Sequence, residues 1–315
     1  MRLIILLLAV GQASWPAQSY SMAWSPDSKL IAIGGYQQVT LTNPVTSQPV
    51  ARLAGHADAV RALAFSADGK WLAAAGGKPA KQGEVKIWNV DQRSVAFTIQ
   101  GHDDCVYATA FSPDGKTLAT ASYDKLIKLW DTATGAEVRT LKDHIDAIYA
   151  LAFTPDGKRL ISGAADRSIK VWNPATGERL FTMSEPLDGI NTIAISPSGN
   201  MVAAAGLDKS IRIWKLEENA GTLLQSLMAH EDAILKLAWS PDGKMIVSFA
   251  ADRTLKVLRA SDLTELRLIK NQSDWAFGLE FSPDGKSLAV ARFDGSLTIY
   301  DKAQLSSSAT QNARR

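Results

Sequence analysis

Residues 148–172 read IYALAFTPDGKRLISGAADRSIKVW, and this stretch decides the fold. The apolar segment Ile148–Phe153 predicts a first strand. It leads into Pro155-Asp156-Gly157, where proline at the second turn position and glycine at a site of positive φ indicate a tight hairpin turn. Leu160–Ala164 predicts a second strand, and Asp166-Arg167 a second turn. Ile169–Trp172 alternates apolar and polar residues, which is typical of a half-buried third strand.

The phrase at the first turn recurs seven times, at intervals of 41 to 46 residues. The repeat predicts seven units of antiparallel strands, with a fourth strand starting at Arg179 in the quoted unit. One such sheet cannot bury both of its faces, whereas sheets stacked around an axis do. The copies are Trp24-Ser-Pro-Asp, Phe65-Ser-Ala-Asp-Gly, Phe111-Ser-Pro-Asp-Gly, Phe153-Thr-Pro-Asp-Gly, Ile195-Ser-Pro-Ser-Gly, Trp239-Ser-Pro-Asp-Gly and Phe281-Ser-Pro-Asp-Gly.

The composition of the 315 residues limits the possible functions. A net charge of +2 argues against a nucleic-acid binder that works by bulk charge. The hydrophobic content of 46% and charged content of 21% are those of a globular protein. Cys105 is the single cysteine, so neither an intrachain disulfide nor a thiolate metal site is expected. The apolar run 3–10 is too short for a transmembrane segment, which needs roughly twenty residues.

The order of histidine, aspartate and tryptophan within the units resembles the WD-repeat family. A histidine stands near the start of a unit, an aspartate precedes the third strand, and a Trp-Asp pair such as Trp130-Asp131 ends it. The resemblance covers about residues 19–301. It implies an all-β, seven-bladed β-propeller of four-stranded antiparallel blades, which we place at residues 15–301. It further suggests an exported bacterial member of the family.

The resemblance also implies a hydrogen-bonded chain of His, Ser or Thr, Asp and Trp in each complete unit. Units two, five and seven keep only part of this set, and Leu258 replaces the tryptophan of unit six. All four histidines take the same position in different units, so we expect a structural role, with no metal, catalytic residue or cofactor. The predicted members are His102, Thr120, Asp124 and Trp130 in unit three, His144, Ser162, Asp166 and Trp172 in unit four, and His230, Ser248 and Asp252 in unit six; the partial sets are His56 and Trp88, Asp208 and Trp214, and Asp294.

One face of the repeat is rich in aromatic side chains. These residues open the first strand of a unit or flank the first loop and second turn, which lie together at the mouth of the central channel. Such rings are typical of protein-interaction anchors, and the alternative is that they plug the channel. We call the set the rim surface: Tyr20, Tyr36, Arg61, Tyr107, Tyr123, Tyr149, Asn191, Leu207, Leu235, Trp275, Phe277 and Phe293.

Two local departures lie near this face. The second turn of unit two, residues 76–83, is about four residues longer than its counterparts and basic, which leaves open either a contact with an acidic partner or neutral drift in loop length. Lys236 and Glu280 stand where most first strands carry small or apolar residues. We expect an ion pair between neighbouring units, and a substrate-binding carboxylate at Glu280 is the alternative.

The N-terminus has two interpretations. Residues 1–14 resemble a short secretory signal peptide, which would make the protein periplasmic or secreted. Alternatively, residues 4–11 form the missing outer strand of the last unit, and the protein is cytoplasmic. Residues 302–315 are polar and serine-rich, which indicates a mobile tail or a linker.

The sequence therefore favours a monomeric, non-enzymatic scaffold that binds protein partners through the rim surface. The alternative is a propeller enzyme or small-ligand binder that uses the channel mouth. Nucleic-acid binding is a weaker third hypothesis, because the charge balance opposes it. It would use Arg61, Lys78, Lys81, Lys125, Arg167, Lys209 and Arg253.

Overall fold

A computed structural model describes residues 18–306. Within that range the chain forms 26 strands and one short helix. In chain order they are β1 (Ser21–Trp24), β2 (Ile31–Gly34), β3 (Tyr36–Thr42), β4 (Pro49–Phe65), β5 (Trp71–Lys78), β6 (Gln82–Asn89), β7 (Ser94–Gln100), β8 (Val106–Phe111), β9 (Thr117–Ser122), β10 (Leu126–Asp131), β11 (Glu137–Lys142), β12 (Ile148–Phe153), β13 (Leu160–Ala164), β14 (Ile169–Trp172), β15 (Arg179–Met183), β16 (Ile190–Ile195), β17 (Met201–Gly206), β18 (Ser210–Leu216), β19 (Gly221–Met228), β20 (Ile234–Trp239), β21 (Met245–Ala250), β22 (Leu255–Arg259), β23 (Glu265–Ile269), β24 (Ala276–Phe281), β25 (Ser287–Arg292), β26 (Leu297–Asp301) and α1 (Lys302–Ser306).

The sheets follow the order of the chain, and each strand pairs antiparallel with the next. Strands β8–β11, β12–β15, β16–β19 and β20–β23 form four sheets of four strands. The first sheet contains seven strands, β1–β7, and the last contains β24–β26. The prediction of an all-β repeat fold with four-stranded antiparallel sheets is therefore confirmed, although the first and last sheets differ from the expected count.

The seven-stranded sheet arises because β4 serves two units. In its first part Leu53 pairs with Val39 of β3, and in its second part Val60 pairs with Gly76 of β5. Gly55, with φ of 113°, lies between these two parts. In units three to seven a loop separates the outer strand of one unit from the first strand of the next, whereas here the strand continues.

The apolar core lies between consecutive sheets. The third-strand tryptophan of each of units three to five packs against the preceding unit: Trp130 on Val85 and Ile87, Trp172 on Ile127 and Leu129, and Trp214 on Ile169 and Val171. Each of these side chains is almost fully buried. The sheets thus depend on their neighbours for burial, as expected for repeat folds.

The first and last sheets are also in contact with each other. Trp24, Ile31 and Ile33 of unit one form a buried cluster with Ala289, against which Leu297 and Ile299 pack. The backbone N–H of Trp24 donates to Glu280 Oε2 at 3.0 Å, and its indole N–H donates to the Glu280 carbonyl at 3.1 Å.

The C-terminal part of the described chain differs from the expected tail. Residues 302–306 form α1, and Leu305 is fully buried beside Leu266, Ile269 and Tyr300. A single leucine within a polar sequence gives no periodic signal, so the sequence did not predict this helix. Both interpretations of the N-terminus concern residues 1–14, which lie outside the described residues, as do residues 307–315.

Candidate functional site

The rim surface is built on a series of β-bulges. In units two to seven the pairing between the first and second strands shifts at one residue. A bulge inserts an unpaired residue and turns its side chain away from the regular alternation. The inserted residues are Arg61, Tyr107, Tyr149, Asn191, Leu235 and Phe277, and all six belong to the rim surface. Tyr20 takes the corresponding place in unit one, where its N–H bonds the carbonyl of Gly34 at 2.8 Å.

Four of the bulged residues, Arg61, Tyr107, Tyr149 and Phe277, belong to a series of ring contacts that crosses several units. The Tyr107 ring meets that of Tyr149 edge-on, with 5.2 Å between the ring centroids, and also contacts the Tyr123 ring at 6.2 Å. The Arg61 guanidinium lies 5.2 Å from the Tyr107 centroid and 5.6 Å from that of Tyr20. Each contact adds cation–π attraction and places a positive charge between two rings.

The series continues into unit seven. The centroid of Phe293 lies 5.6 Å from that of Tyr20 and 6.0 Å from that of Phe277, and both contacts are edge-on. Asn191 instead links units five and six, because its Nδ2 donates to the carbonyl of Ile234 at 2.9 Å.

The other members of the rim surface lie on the same face and are more exposed. The exposed fraction is 55% for Tyr36, 48% for Tyr123 and Trp275, and 47% for Leu207. Residues before the second-turn aspartate are held by a backbone hydrogen bond to the first loop, as from Phe293 N to Trp275 O at 2.7 Å. Leu235 is half-buried and makes no ring contact. Large exposed apolar side chains around a polar mouth are typical of docking surfaces.

One cavity of about 160 Å³ lies beneath these rings. Residues on the first strand of every unit line it: Ser21 and Met22, Arg61, Ala62 and Leu63, Tyr107, Ala108 and Thr109, Tyr149, Ala150 and Leu151, Asn191, Thr192 and Ile193, Lys236, and Phe277. Burial raises the pKa of Tyr149 to about 12, so its phenol is neutral and a hydrogen-bond donor.

The expected ion pair between Lys236 and Glu280 is wrong. Among the described residues the Lys236 ammonium has no carboxylate partner, and it faces the cavity. The Glu280 carboxylate accepts the Trp24 N–H and does not line the cavity. Burial raises the pKa of Glu280 to about 7 and lowers that of Lys236. The two residues lie on adjacent units as predicted, but Lys236 lines the cavity and Glu280 bonds Trp24. The strand register alone does not give the direction of each side chain.

The predicted hydrogen-bond chains of units three and four are linked through both ring nitrogens of the histidine. His102 Nδ1 lies 2.8 Å from Asp124 Oδ2, and Nε2 lies 2.8 Å from Thr120 Oγ1, which also accepts the Trp130 N–H at 2.8 Å. In unit four the matching distances are 2.7, 2.7 and 2.9 Å among His144, Asp166, Ser162 and Trp172. Hydrogen bonds from the histidine and from Ser168 hold the pKa of the buried Asp166 well below its usual value.

Unit six keeps this arrangement without a tryptophan. His230 Nε2 lies 2.7 Å from Ser248 Oγ, and Nδ1 lies 3.2 Å from Asp252 Oδ2. Thr254 Oγ1 also lies 2.9 Å from Nδ1. Burial lowers the pKa of His230, so the neutral ring is favoured.

Other acids replace the missing partners in units two and five, which the sequence did not predict. His56 Nδ1 bonds Glu84 Oε1 at 3.2 Å, and the Trp88 N–H donates directly to His56 Nε2 at 3.3 Å. The Trp214 N–H donates to Glu185 at 3.2 Å. Hydrogen bonds from His56 and Ala57 lower the pKa of the buried Glu84 to about 2. Neither glutamate stands at a position of the repeat pattern, so no spacing signal identified them.

Unit seven uses an arginine in place of the histidine chain. Arg292 Nε donates to Gln272 Oε1 at 3.2 Å, and Nη1 donates to Thr298 at 2.8 Å. Asp294, the predicted remnant of the chain, instead caps its own turn by accepting the Ser296 N–H at 2.9 Å.

The long turn of unit two does not project freely from the face. Lys78 pairs with Gln82, so the segment extends the β5–β6 hairpin by further ladder pairs. Its tip leans on unit three, where the Ala80 N–H donates to Asp104 at 3.0 Å and the Cys105 thiol donates to Gly77 O at 3.1 Å.

Residues 18–306 lack the features of two other classes of site. No three His, Cys, Asp or Glu side chains in this range gather as a metal site would require. The range contains no helix of the length and hydropathy needed to cross a membrane.

A family model described as "WD domain, G-beta repeat" matches six segments of the chain. They are residues 47–89, 93–131, 135–173, 177–215, 221–258 and 264–301. Each segment runs from the outer strand of one unit to the third strand of the next, so β1–β3 fall outside the six matches.

A similar curated protein is the "Target of rapamycin complex subunit wat1" of Schizosaccharomyces pombe. It is 38% identical over 73 residues, which are 22% of this chain and 22% of the relative. The chain thus covers about a fifth of that relative's length. These comparisons give no support to the resemblance to exported bacterial members.

Proposed function

This chain belongs to the WD40 repeat family, and from that premise we propose that it is a non-enzymatic scaffold that binds protein partners through the rim surface. The observation that carries the proposal is the series of ring contacts from Phe277 to Tyr149, set on bulges that direct these side chains to one face. Rigid aromatic anchors beside an arginine are the groups that dominate protein interfaces.

We further propose that the sheets close into a seven-bladed, monomeric β-propeller over residues 15–301. Three observations support closure. First strands of seven units contribute to one cavity, the first and last sheets share a buried apolar cluster, and Glu280 bonds Trp24 across them. In this arrangement β1 contacts β24 as the first strands of other neighbouring units contact each other, and such a ring leaves only short, protected strand edges.

The alternative of an enzyme or small-ligand binder in the channel has less support. It relied on Glu280 as a carboxylate in the channel, and that side chain accepts the Trp24 N–H away from the cavity. The four histidines are buried in four different units, each engaged by its own unit's side chains.

A quantitative pull-down from the cells of origin tests the rim proposal. Tyr123→Ala and Trp275→Ala remove exposed rings, so we expect loss of partners with little loss of stability. Leu224→Ala on β19 is the matched control, because its exposed fraction of 48% equals that of both rings while it lies on an outer strand. Equal recovery by all four proteins would overturn the rim surface as the docking site.

We also propose that residues 1–14 are a signal peptide and that the protein is periplasmic or secreted, with the closing strand from residues 4–11 as the alternative. Sequencing the N-terminus of the mature protein tests export. Processing near Ala13 is expected, and a mature chain that starts at Met1 contradicts it.

A further inference from the structure

We propose that the central cavity binds one carboxylate side chain of an acidic protein partner, held by Arg61 and Lys236. This inference rests on the proposed function, since it specifies the chemistry that the partner must present beneath the rim surface. The carrying observation is that two cations line one small cavity and neither forms an ion pair within the described residues.

Arg61 lacks a counter-ion in the part of the chain that the structure describes. Its Nε is buried and makes no hydrogen bond, and its neighbours are the faces of Tyr20 and Tyr107. The thiol of Cys105 is also close, and burial raises its pKa, so this neighbour is neutral. A guanidinium presents up to five N–H donors in a planar fork that matches a carboxylate.

Lys236 is the second uncompensated cation. It is the first-strand residue directly after the bulge at Leu235, and the equivalent positions in units two to four are Ala62, Ala108 and Ala150. Lys236 therefore brings a long cationic side chain to a strand position where those three units carry only a methyl group. Burial of a charged group without a partner is costly, and the cost is relieved when an anion binds beside it.

The surroundings favour a single negative charge over a doubly charged phosphate. Asp58, Asp104 and Asp146 lie three residues before the bulged residues of units two to four, and each accepts the N–H of the following residue. Their charges oppose a second negative charge on the ligand. The volume of about 160 Å³ admits a carboxylate and its short stem, while the phenols of Tyr107 and Tyr149 supply neutral donors.

Titration calorimetry with three capped peptides tests the proposal. The probes are acetyl-Ala-Glu-Ala-amide, its glutamine counterpart and its phosphoserine counterpart, at constant ionic strength and millimolar concentration. The glutamate peptide is expected to bind about tenfold or more tightly than the glutamine peptide, because a charge-assisted pair is lost in the latter. Tighter binding of the phosphoserine peptide would overturn the choice of a carboxylate.

Lys236→Met provides the decisive variant, and Lys125→Met is its matched control on an exposed turn of the same face. Lys236→Met is expected to fold with a Tm at least equal to that of the parent, since it removes an uncompensated charge, and to lose the preference for glutamate. Lys125→Met is expected to keep that preference. Equal binding of the glutamate and glutamine peptides by the parent, or an unchanged preference in Lys236→Met, would overturn the proposal.

The pull-down with Tyr123→Ala and Trp275→Ala separates this outcome from failure of the scaffold proposal. If rim variants lose their partners while the parent shows no preference for the glutamate peptide, the rim proposal stands and the carboxylate site is wrong. If the rim variants keep all partners, the scaffold surface itself is wrong.

Discussion

The buried histidines and tryptophans of units two, three, four and six are hydrogen-bonded by side chains that are distant in sequence but belong to the same unit where such partners are present. In units three and four one hydroxyl accepts from tryptophan and also contacts the histidine Nε2, so a single oxygen satisfies two buried rings. Unit six has the histidine without the tryptophan. This difference allows the contribution of each hydrogen bond to the free energy of unfolding to be compared within one protein.

Ser162→Ala is expected to destabilise the protein more than Ser248→Ala. The first substitution leaves His144 Nε2 and Trp172 Nε1 without their partner, whereas the second affects only His230. At roughly 1–3 kcal/mol for each buried unsatisfied group, we expect losses of about 3 and about 1.5 kcal/mol. Urea unfolding of both variants provides the measurement, and equal losses would contradict this account of the shared hydroxyl.

Glu280 makes stability depend on pH near neutrality. Burial raises its pKa from 4.5 to about 7, so between these values the folded chain holds a proton that the unfolded chain releases. The free energy of unfolding therefore decreases as pH rises through this window and levels off above about 7. Because one pKa unit corresponds to about 1.4 kcal/mol, the total effect is at most about 3.5 kcal/mol.

Glu280→Gln is expected to remove this part of the pH dependence, because the amide oxygen still accepts the Trp24 N–H without ionising. The measurement is the difference between variant and parent unfolding free energies from pH 4.5 to 8. Glu217→Gln, an exposed glutamate, serves as the control. A difference that stays constant with pH would show that Glu280 titrates normally.

At the scale of secondary structure, turns and alternation were predictable and departures from regular pairing were not. Pro155-Asp156-Gly157 marks its hairpin because the residues themselves favour the turn, and Gly157 has φ of 70°. The bulges at Tyr149 and its equivalents have no such local preference, since they arise from how two strands meet. The hydrogen bonds of Glu84 and Glu185 were not predicted for the same reason, because the packing of the strands decides which groups these side chains meet.

The rim positions were predicted from the repeat, yet the ring contacts among them depend on the relative placement of different sheets. Periodicity aligns Tyr107 with Tyr149 but gives no distance between their rings. Likewise it placed Lys236 and Glu280 on adjacent units and left the direction of each side chain open. Leu305 had no repeat to align with, and α1 therefore went unpredicted.

Leu305→Ala tests whether α1 is part of the folded unit. The leucine is fully buried against Leu266, Ile269 and Tyr300, so its truncation is expected to cost about 2 kcal/mol or more. Leu224→Ala is the same substitution at an exposed site and is expected to cost little. Urea unfolding measures both, and equal costs would mean that the helix contributes nothing to stability.

At the scale of the molecule, contact between the first and last sheets carries the proposal of closure. Gly278 lies at this junction on β24, and a Cβ added there would stand 2.5 Å from Cβ of Met22 in β1. Equivalent positions in units two to four hold alanine, so the requirement for glycine comes from Met22 and not from the strand itself.

Gly278→Ala is therefore expected to lower the free energy of unfolding by about 1–3 kcal/mol, as overpacking does. Met22→Ala keeps the Cβ of residue 22, which is the atom nearest to the added methyl group. It removes the rest of the Met22 side chain, so β1 gains room to shift away from β24. The double variant is expected to recover part of the loss. Urea unfolding of the four proteins forms a double-mutant cycle. Strictly additive effects would argue against a packed junction between these sheets.

In a regular strand the pairing register also fixes the face on which each side chain lies, and a β-bulge removes this link for one residue. A residue inside the ladder is constrained by its pairing register, while the inserted residue of a bulge is exempt from that count. Arg61, Tyr107, Tyr149, Asn191, Leu235 and Phe277 are such residues, and they differ in size, charge and polarity on nearly identical backbones. Substitutions at these six positions can therefore change the size, charge and polarity of this face without changing the strand pairing beneath it.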